Sequence, residues 1–571
     1  MRLRLTPGLL LAAIALVEYL APWRAAGRTL TFGLAAFLTA RFVAQSVRNL
    51  RAAARVRGVL RARVLELALT LAALVLLASK AVVWARLLGP APPPTLDHVY
   101  RQYAAAFLVV AGLRVVAGEF PVRRILHRLE LMPAQTVAVG FLGTILAGTL
   151  LLSLPLAVER LEELSLLDAL FIATSAVTTT GLVVYDPGGF HTRFGELVLV
   201  ALMQLGGLGT MAVSASLVVL AGRRLRLTRA AALRESLDLD TLGQVRGQVK
   251  TIVAVTFAAE ALGALALWLR WRERADIEAP ILAAVFHAVS AFCTAGFSLL
   301  ADGLARFRAD GASNAIVVAL MLLGSLGFPV FQDLGRVARS LAARQRPPRL
   351  ALHTRLALVT TGVLVAAGLV AALGLEWRGV LAPLTLPGHL LAAVFLAVTA
   401  QSTTGFNTVD TGALGPATLW LVMVLMFVGG SPGSTAGGVK TTTLATVVAS
   451  VWATLRGRAR VEAFRRTLSD EQVTKALALI GISLATVAVA ILALLATQTG
   501  DALALTFEAV SAFGTVGLST GLTPTLDAWG KLVLVAVMFV GRVGPITLGF
   551  ALAARARPTR VVYPSEKIMI G

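Results

Sequence analysis

The sequence predicts an all-α membrane protein with four pseudo-repeats of helix, re-entrant pore loop and helix around one pore, plus four extra N-terminal transmembrane helices. Its composition supports the membrane class, because 57% of the 571 residues are hydrophobic and only 14% are charged, against about 25% charged in soluble domains. The mean hydropathy of +0.81 agrees with this class. The repeat is indicated by a short apolar run, ending in small hydroxyl residues and a glycine, that recurs four times.

The N-terminal extension, residues 1–130, carries the four extra spans, at 7–22, 29–46, 65–84 and 103–117. Arginines are concentrated on the links that follow the second and the fourth of these spans. Basic links of multi-pass proteins face the cytoplasm. Four crossings therefore leave both ends of the extension on the cytoplasmic side.

The rest of the chain divides into pore repeats at residues 131–235, 236–348, 349–468 and 469–571. Each repeat holds two long apolar spans, which are predicted at Ala134–Leu154, Leu197–Leu220, Lys250–Trp268, Ala315–Leu334, Leu356–Leu375, Ala417–Ala449, Ala476–Ala496 and Lys531–Ala554. The formal charge of +22 lies largely in short arginine-rich links between the spans, which is the positive-inside pattern of a membrane protein rather than a nucleic-acid footprint. We expect twelve crossings of the cell membrane with both termini cytoplasmic.

Four loop glycines mark the repeats and stand 115, 109 and 112 residues apart. Each follows an apolar run too short to cross a bilayer as a helix. Glycine permits unusual backbone angles, and Ser or Thr hydroxyls can hold a turn through local hydrogen bonds. Four such loops around one axis can replace the hydration shell of a monovalent cation with carbonyl oxygens. The candidate filter residues are Thr179, Thr180, Gly181, Thr294, Ala295, Gly296, Thr403, Thr404, Gly405, Asn407, Thr515, Val516 and Gly517.

The alternative reading of these glycines is close packing of membrane helices, which is common for a single glycine. A second repeated feature favours the pore, because a glycine-rich break in the helical pattern follows each loop glycine by 24 to 28 residues. The breaks are Gly206–Gly209, Gly324–Pro329, Gly429–Gly433 and Gly541–Pro545. Irregular backbone at membrane depth persists only where protein buries it or water reaches it.

The third break is the longest, and its Gly, Ser and Pro content is incompatible with a helix. We predict an intramembrane loop beneath the filter that acts as a movable gate. The candidate gate residues are Gly429, Gly430, Ser431, Pro432, Gly433, Ser434, Thr435, Gly437, Gly438, Lys440 and Arg542. A phosphate-binding loop is excluded, because Val439 stands where that motif needs lysine and no strand flanks it.

Arg542 lies at matching depth in the fourth repeat, and an arginine inside a membrane is usually paired or faces water. We predict that it binds the carbonyls of the third-repeat loop and repels cations until that loop moves; the alternative is a purely structural tether between two helices. Glu260 is expected to be a buried partner for a neighbouring helix rather than a coupling carboxylate. Asp186, Asn407 and Asp410 could concentrate cations at the mouth or be ordinary exposed residues.

These residues resemble the Trk/Ktr/HKT superfamily of cation transporters. The resemblance rests on Met132–Gln135, Ser175–Leu182, Thr294–Ser298 and Thr404–Thr408, while Met538–Pro545 and Tyr563–Gly571 place it closest to the KtrB membrane subunits of the Ktr branch. It covers roughly 132–571, so the N-terminal extension has no counterpart in the eight-span family core. In the third loop the family's usual basic residue is replaced within Gln401–Thr403.

The resemblance implies potassium uptake through a pore with one filter glycine per repeat, an intramembrane gating loop and an opposing arginine. It also implies that the chain is not an enzyme, has no cofactor of its own and carries K⁺ as the transported ion. Activation by Na⁺ is a further expectation from the family. The implied partners are a second copy in a homodimer, membrane lipids, and a separate cytosolic nucleotide-binding RCK subunit. Alternatives are a sodium-permeable or proton-coupled relative, or a membrane scaffold with a vestigial pore.

Overall fold

The computed structural model describes residues 133–154, 156–159, 165–227 and 238–544, with the backbone alone at 133, 134, 136, 212–227 and 238–247. The predicted N-terminal extension, Pro545 and the C-terminal tail lie outside the described residues. The described part is almost entirely helical. One short exception is an antiparallel hairpin of β1 (Glu462–Ala463) and β2 (Arg466–Thr467).

Four short helices lie at the centre of the fold. They are α2 (Leu166–Val177), α6 (Pro280–Phe292), α10 (Leu386–Gln401) and α14 (Ala502–Gly514). Proline stands in the first turn of α6 and α10, where the missing N–H costs no hydrogen bond. The Asp501 side chain caps α14 by accepting from the backbone N–H of Ala504. Each short helix ends at the start of a predicted filter loop.

A longer helix precedes each of these four. The long helices are α1 (Pro133–Leu152), α5 (Asp238–Trp271), α9 (Leu352–Glu376) and α13 (Asp470–Thr497). Ser469 begins α13 with a reciprocal capping box to Gln472, which satisfies two of the helix's first N–H groups. The three helices α5, α9 and α13 each contain an apolar segment long enough to cross a membrane.

The helices that follow the loops differ from one another. After the small helix α3 (Pro187–Phe190) comes α4 (Arg193–Leu227), which contains a fourth segment of spanning length. The later ones are α7 (Gly311–Leu326) with α8 (Phe328–Ala342), α11 (Pro416–Phe427) with α12 (Thr441–Leu455), and α15 (Ala528–Val543). Short 3₁₀ turns at Ala305–Phe307, Thr411–Ala413 and Thr523–Thr525 complete the described elements.

The predicted glycine breaks have different outcomes. The chain bends by 102° between α7 and α8, where Gly327 has φ +84°, and residues 428–440 separate α11 from α12. The helix α15 ends at Val543 with Gly544 at φ +90°. The predicted break at Gly206–Gly209 is wrong, because α4 is continuous there. Gly206 serves close packing instead, since a Cβ on it would lie 2.0 Å from the carbonyl oxygen of Val177.

The core is built mainly on the short helices. Each contains a fully buried phenylalanine ten residues before its loop glycine, and these are Phe171, Phe286, Phe395 and Phe507. The outward surfaces of the long helices instead expose large apolar side chains, such as Leu262 and Val370 at 69% and 70%. Exposed apolar helices around a buried polar centre are typical of a protein whose outer surface faces lipid.

Candidate functional site

The four short helices end in the same way. Thr179 follows α2 with a left-handed φ of 51°, its N–H bonds the carbonyl of Ala176, and the N–H of Thr180 bonds the carbonyl of Ser175. These two bonds define a Schellman motif at the helix C-terminus. The same pair of bonds follows the other three helices, around the left-handed threonines Thr294, Thr403 and Thr515.

A left-handed threonine is unusual, because a β-branched side chain is strained at positive φ, at a cost of about 1–3 kcal/mol. Two residues later each loop glycine also has a positive φ, of 89°, 68°, 89° and 93° in chain order. A strained backbone of this kind persists only where many surrounding contacts hold it in place. Strained residues are concentrated at functional sites. The strained residues stand at the same two positions in all four loops, the threonine and the glycine two residues later. We therefore take the four loops as the candidate site.

The four loops form a closed ring. A Cβ on Gly181 would lie 2.4 Å from the carbonyl oxygen of Ala295, and a Cβ on Gly296 would lie 2.1 Å from that of Thr404. Likewise, Gly405 faces the carbonyl oxygen of Val516 at 2.0 Å, and Gly517 faces that of Thr180 at 2.1 Å. The first loop thus touches the second, the second the third, the third the fourth, and the fourth the first. All predicted filter glycines are brought together.

A hydroxyl six residues before each glycine supports three of the loops directly. Ser175 Oγ accepts from the N–H of Gly181 at 3.0 Å, and Ser511 Oγ accepts from that of Gly517 at 3.1 Å. Ser290 Oγ donates to the carbonyl of Phe297 at 2.8 Å. The fourth member, Thr399, has no hydrogen-bond partner for its hydroxyl among the described residues. These four hydroxyls are not among the predicted filter residues.

A signal for them exists in the sequence. Aligning the loops on their glycines gives Phe, Ala, Ser or Thr, Ala and Thr at positions −10, −8, −6, −5 and −2 in every copy. The small alanines let the helices approach closely, and the threonine becomes the left-handed residue. The loop glycines were therefore only the most visible part of a longer repeated pattern.

The segment between α11 and α12, residues 428–440, is fixed to the bend between α7 and α8. The backbone N–H groups of Ser431 and Thr435 donate to the carbonyls of Ser325 and Gly324, at 2.9 and 3.1 Å. A helix end leaves its last carbonyls without intrahelical partners. The bend at Gly327 thus supplies the acceptors that hold this segment.

The same segment lies against the ring. Thr435 Oγ1 donates to the carbonyl of Phe292 at 3.0 Å and lies 3.3 Å from Thr294 Oγ1. The N–H of Gly437 donates to Thr403 Oγ1 at 3.0 Å, and a Cβ on Gly437 would lie 2.0 Å from Thr515 Oγ1. Three of the four left-handed threonines therefore adjoin residues 435–437.

Two basic side chains bind the carbonyls of these residues. Arg542, only 6% exposed, donates through Nη1 to the carbonyl of Thr435 and through Nη2 to that of Gly206 at 3.0 Å. Lys440 Nζ donates to the carbonyls of Ala436 and Gly437 at 2.5 and 3.3 Å. Three consecutive carbonyls are thus bound by basic side chains, and the Arg542 guanidinium opposes the presence of another cation nearby.

The weaker candidates have ordinary local partners. Glu260 accepts from Gln204 Nε2 at 3.1 Å and lies 3.6 Å from Cys293 Sγ, so this carboxyl contacts α4 and the end of α6. Asp186 and Asp410 accept from the backbone N–H groups two residues on. A Cβ on Gly303 would lie 2.1 Å from Asn407 Oδ1. No cluster of His, Cys, Asp and Glu that could hold a metal occurs in the described part of the chain.

Comparison with known proteins assigns the chain to a family. The sequence profile of TrkH, described as a cation transport protein, matches residues 133–558. The chain belongs to the TrkH cation transport protein family. The resemblance to Trk and Ktr transporters is thereby confirmed, and the matched region begins where the N-terminal extension ends.

Individual members of the TrkH family give more detail. The chain is 37% identical over 450 residues to Ktr system potassium uptake protein B of Bacillus subtilis, covering 78% of this chain and 99% of that protein. It is 38% identical over 439 residues to the protein of the same name from Vibrio alginolyticus, covering 76% and 94%. It is 36% identical over 451 residues to the potassium/sodium uptake protein NtpJ of Enterococcus hirae, covering 78% and 98%.

The fold agrees with a solved member of the TrkH family. The crystal structure of the potassium transporter TrkH from Vibrio parahaemolyticus matches with a TM-score of 0.60 and 20% sequence identity, covering 85% of this chain and 97% of that one. At this identity the likeness concerns the fold. It supports a helical membrane protein of this architecture.

Proposed function

We propose that the protein takes up potassium across the cell membrane, through a pore whose ion-selective element is the ring of four glycine loops. The observation that carries the proposal is the cyclic contact of Gly181, Gly296, Gly405 and Gly517 with the carbonyl oxygens of the adjacent loops. A cage of carbonyl dipoles selects monovalent cations by replacing their hydration shell. This proposal requires a fourfold pseudo-repeat, with boundaries at 131–235, 236–348, 349–468 and 469–571.

The same geometry supports a gate. Residues 428–440 adjoin the ring, and Arg542 and Lys440 bind three of their consecutive carbonyls. In the proposed mechanism this arrangement is the closed state, because the loop blocks the path and the buried Arg542 guanidinium repels the ion. Opening requires that the loop leave the threonines of the ring. K⁺ then passes as substrate along its electrochemical gradient.

The relatives support the partners that this proposal includes. The two Ktr proteins are named as parts of a potassium uptake system, which fits a homodimer working with a separate cytosolic RCK subunit. A second candidate function is uptake of sodium as well as potassium, and the name of the Enterococcus hirae relative favours it. Sodium as an activator, twelve crossings and cytoplasmic termini belong to the same proposal.

The proposal is tested by complementation. We expect the full-length chain, expressed in a bacterium that lacks its own potassium uptake systems, to restore growth at low external K⁺. Growth rate and K⁺ content are measured with and without a co-expressed RCK partner and at two Na⁺ concentrations. Growth restored only with Na⁺ influx would favour the second candidate function. If K⁺ content stays at the level of the empty vector in all conditions, a scaffold with a vestigial pore becomes the better account.

A truncated chain tests the role of the N-terminal extension. The relative from Bacillus subtilis matches this chain over 99% of its own length, and the family profile starts at residue 133. We therefore expect residues 131–571 to support K⁺ uptake at a rate within about threefold of the full chain, a difference of about 0.7 kcal/mol. Uptake per membrane-inserted protein is the measurement. Complete loss of uptake by a correctly inserted core would assign the extension an essential function.

A further inference from the structure

The ring has two kinds of loop, which differ in the side chain nine residues before the glycine. This position holds Ile172 and Leu396 in the first and third short helices, but His287 and Glu508 in the second and fourth. The second and fourth loops do not touch each other in the cyclic order described above, so they lie on opposite sides of the ring. Two polar side chains thus stand behind opposite loops.

Glu508 is fully buried and binds the chain just beyond the fourth glycine. Its Oε1 accepts from Ser519 Oγ at 2.6 Å, from the N–H of Thr520 at 2.9 Å and from Thr520 Oγ1 at 3.2 Å. Its Oε2 accepts from Thr523 Oγ1 at 2.6 Å. The backbone N–H of Thr520 can only donate, whereas the three hydroxyls can donate or accept. Together the four contacts hold the carboxyl group in one position.

His287 makes the corresponding contact behind the second loop. Its Nδ1 lies 2.7 Å from the carbonyl of Ala283, and because a carbonyl only accepts, Nδ1 carries the hydrogen. In the neutral ring Nε2 is then an acceptor, and it lies 2.9 Å from Ser298 Oγ. Ser298 and Ser519 both stand two residues after their loop glycines. In both loops a buried polar side chain of the short helix therefore contacts the serine hydroxyl at the equivalent position, two residues after the glycine.

The other two loops have an apolar side chain at this place in the helix. Ile172 is fully buried, and Leu396 is 7% exposed. The residues two after their glycines are Val183 and Asn407 in place of the serines. On one diagonal, a buried polar side chain of the short helix thus holds a serine hydroxyl two residues after the glycine; on the other diagonal an apolar side chain occupies that helix position.

We propose that Glu508 and His287 are positioning residues that set the spacing of the ring across one diagonal, and thereby its preference for K⁺ over Na⁺. The hydroxyl contacts fix the backbone immediately beyond Gly517 and Gly296, whose neighbouring carbonyls belong to the ring. If these contacts are lost, the two loops relax inward or outward and the carbonyl cage no longer matches the larger ion. This inference rests on the proposed function.

The test compares uptake of K⁺ and Na⁺ by K⁺-depleted cells that produce the full-length chain. The variants are Glu508→Gln, Ser519→Ala, His287→Phe and Ser298→Ala, with Ile172→Val as the matched control at the equivalent position of the first short helix. We expect Glu508→Gln to raise the ratio of Na⁺ to K⁺ uptake about tenfold, which corresponds to about 1.4 kcal/mol. The amide has one accepting oxygen where the carboxyl group has two, so at least one contact is lost or reversed, and the cost of an unsatisfied buried polar group is of this size. The KM for K⁺ should rise in parallel.

Ser519→Ala should change the uptake ratio in the same direction, and the double variant with Glu508→Gln should add little, because the two residues act through one contact. His287→Phe and Ser298→Ala should give equal, smaller changes, and Ile172→Val none. Folding of each variant is checked by the amount of protein in the membrane and by its size-exclusion elution profile in detergent. Should Glu508→Gln fail to insert, Thr523→Val removes one of its four hydrogen bonds and tests the same contact.

Two different failures are distinguishable. A wild-type chain that does not take up K⁺ overturns the proposed function. A K⁺-preferring wild type, with unchanged ratios in Glu508→Gln, Ser519→Ala and His287→Phe, overturns the positioning role alone. A loss of total uptake at unchanged ratio and unchanged KM would assign these residues to folding, and it would equally overturn the proposal.

Discussion

Replacing Gly405 with serine is expected to remove the preference for K⁺ over Na⁺ and to reduce K⁺ uptake at least about tenfold. Gly405 has a φ of +89°, and a Cβ on it would lie 2.0 Å from the carbonyl oxygen of Val516 and 2.9 Å from the carbonyl carbon. The backbone of the fourth loop must therefore move. In addition, a side chain at this φ costs about 1–3 kcal/mol of strain.

The carbonyl that the serine displaces is one of the proposed ion ligands, so the loss should fall on selectivity as well as on rate. The measurement is uptake of K⁺ and Na⁺ at equal external concentrations, normalised to protein in the membrane. Gly362→Ser is the matched control, because Gly362 lies in the long helix α9 and a Cβ there would have no neighbour within 4 Å. Unchanged selectivity in Gly405→Ser would argue strongly against the ring as the selective element.

Deleting Ser431–Thr435 is expected to raise K⁺ flux in the absence of any activating partner, by at least about tenfold over the basal rate. The deletion removes the N–H donors that attach the segment to Ser325 and Gly324, and the carbonyl that accepts from Arg542. The contact of the Gly437 N–H with Thr403 Oγ1 remains, but with the other attachments lost we expect the segment to leave the ring more readily. Basal efflux of K⁺ from loaded vesicles is the direct measurement.

A milder variant separates gating from simple damage. Thr435→Val keeps the size of the side chain but removes the hydroxyl that donates to the carbonyls of Phe292 and Gly324. It should raise basal flux in the same direction as the deletion. Thr446→Val is the matched control, since that hydroxyl bonds only the carbonyl of Thr442 in its own helix. Lower flux in both loop variants would argue that residues 428–440 support the pore rather than close it.

The buried Arg542 guanidinium gives the proposed gate an electrostatic component. Arg542 joins the loop carbonyl of Thr435 to Gly206 of α4, and Lys440 folds back on its own segment. A structural tether and a cation-repelling gate predict the same contacts in a closed state. They differ in the flux of an Arg542→Gln variant, which a tether would lower and a gate would raise.

Sequence patterns were sufficient for the local features. Length and polarity located the short helices, because an apolar run of this size cannot span a bilayer, and glycine content located the bend at Gly327 and the segment 428–440. The loop glycines were found because only glycine tolerates their backbone angles without strain. The break predicted at Gly206 was wrong for the converse reason: glycine also permits close approach within an unbroken helix, here to the carbonyl of Val177.

The features that decide function depend on residues far apart in the chain. The sequence by itself determined that this is a helical membrane protein with four similar loops, since hydrophobicity, helix length and glycine conformation are local properties. Only the tertiary structure decided the order in which the loops touch, the attachment of residues 428–440 to Gly324 and Ser325, and the places of Glu508 and His287 behind opposite loops. The bonds between residues 428–440 and the bend join groups that are far apart in the chain, such as Thr435 and Gly324 at a separation of 111 residues, and no local pattern specifies such contacts.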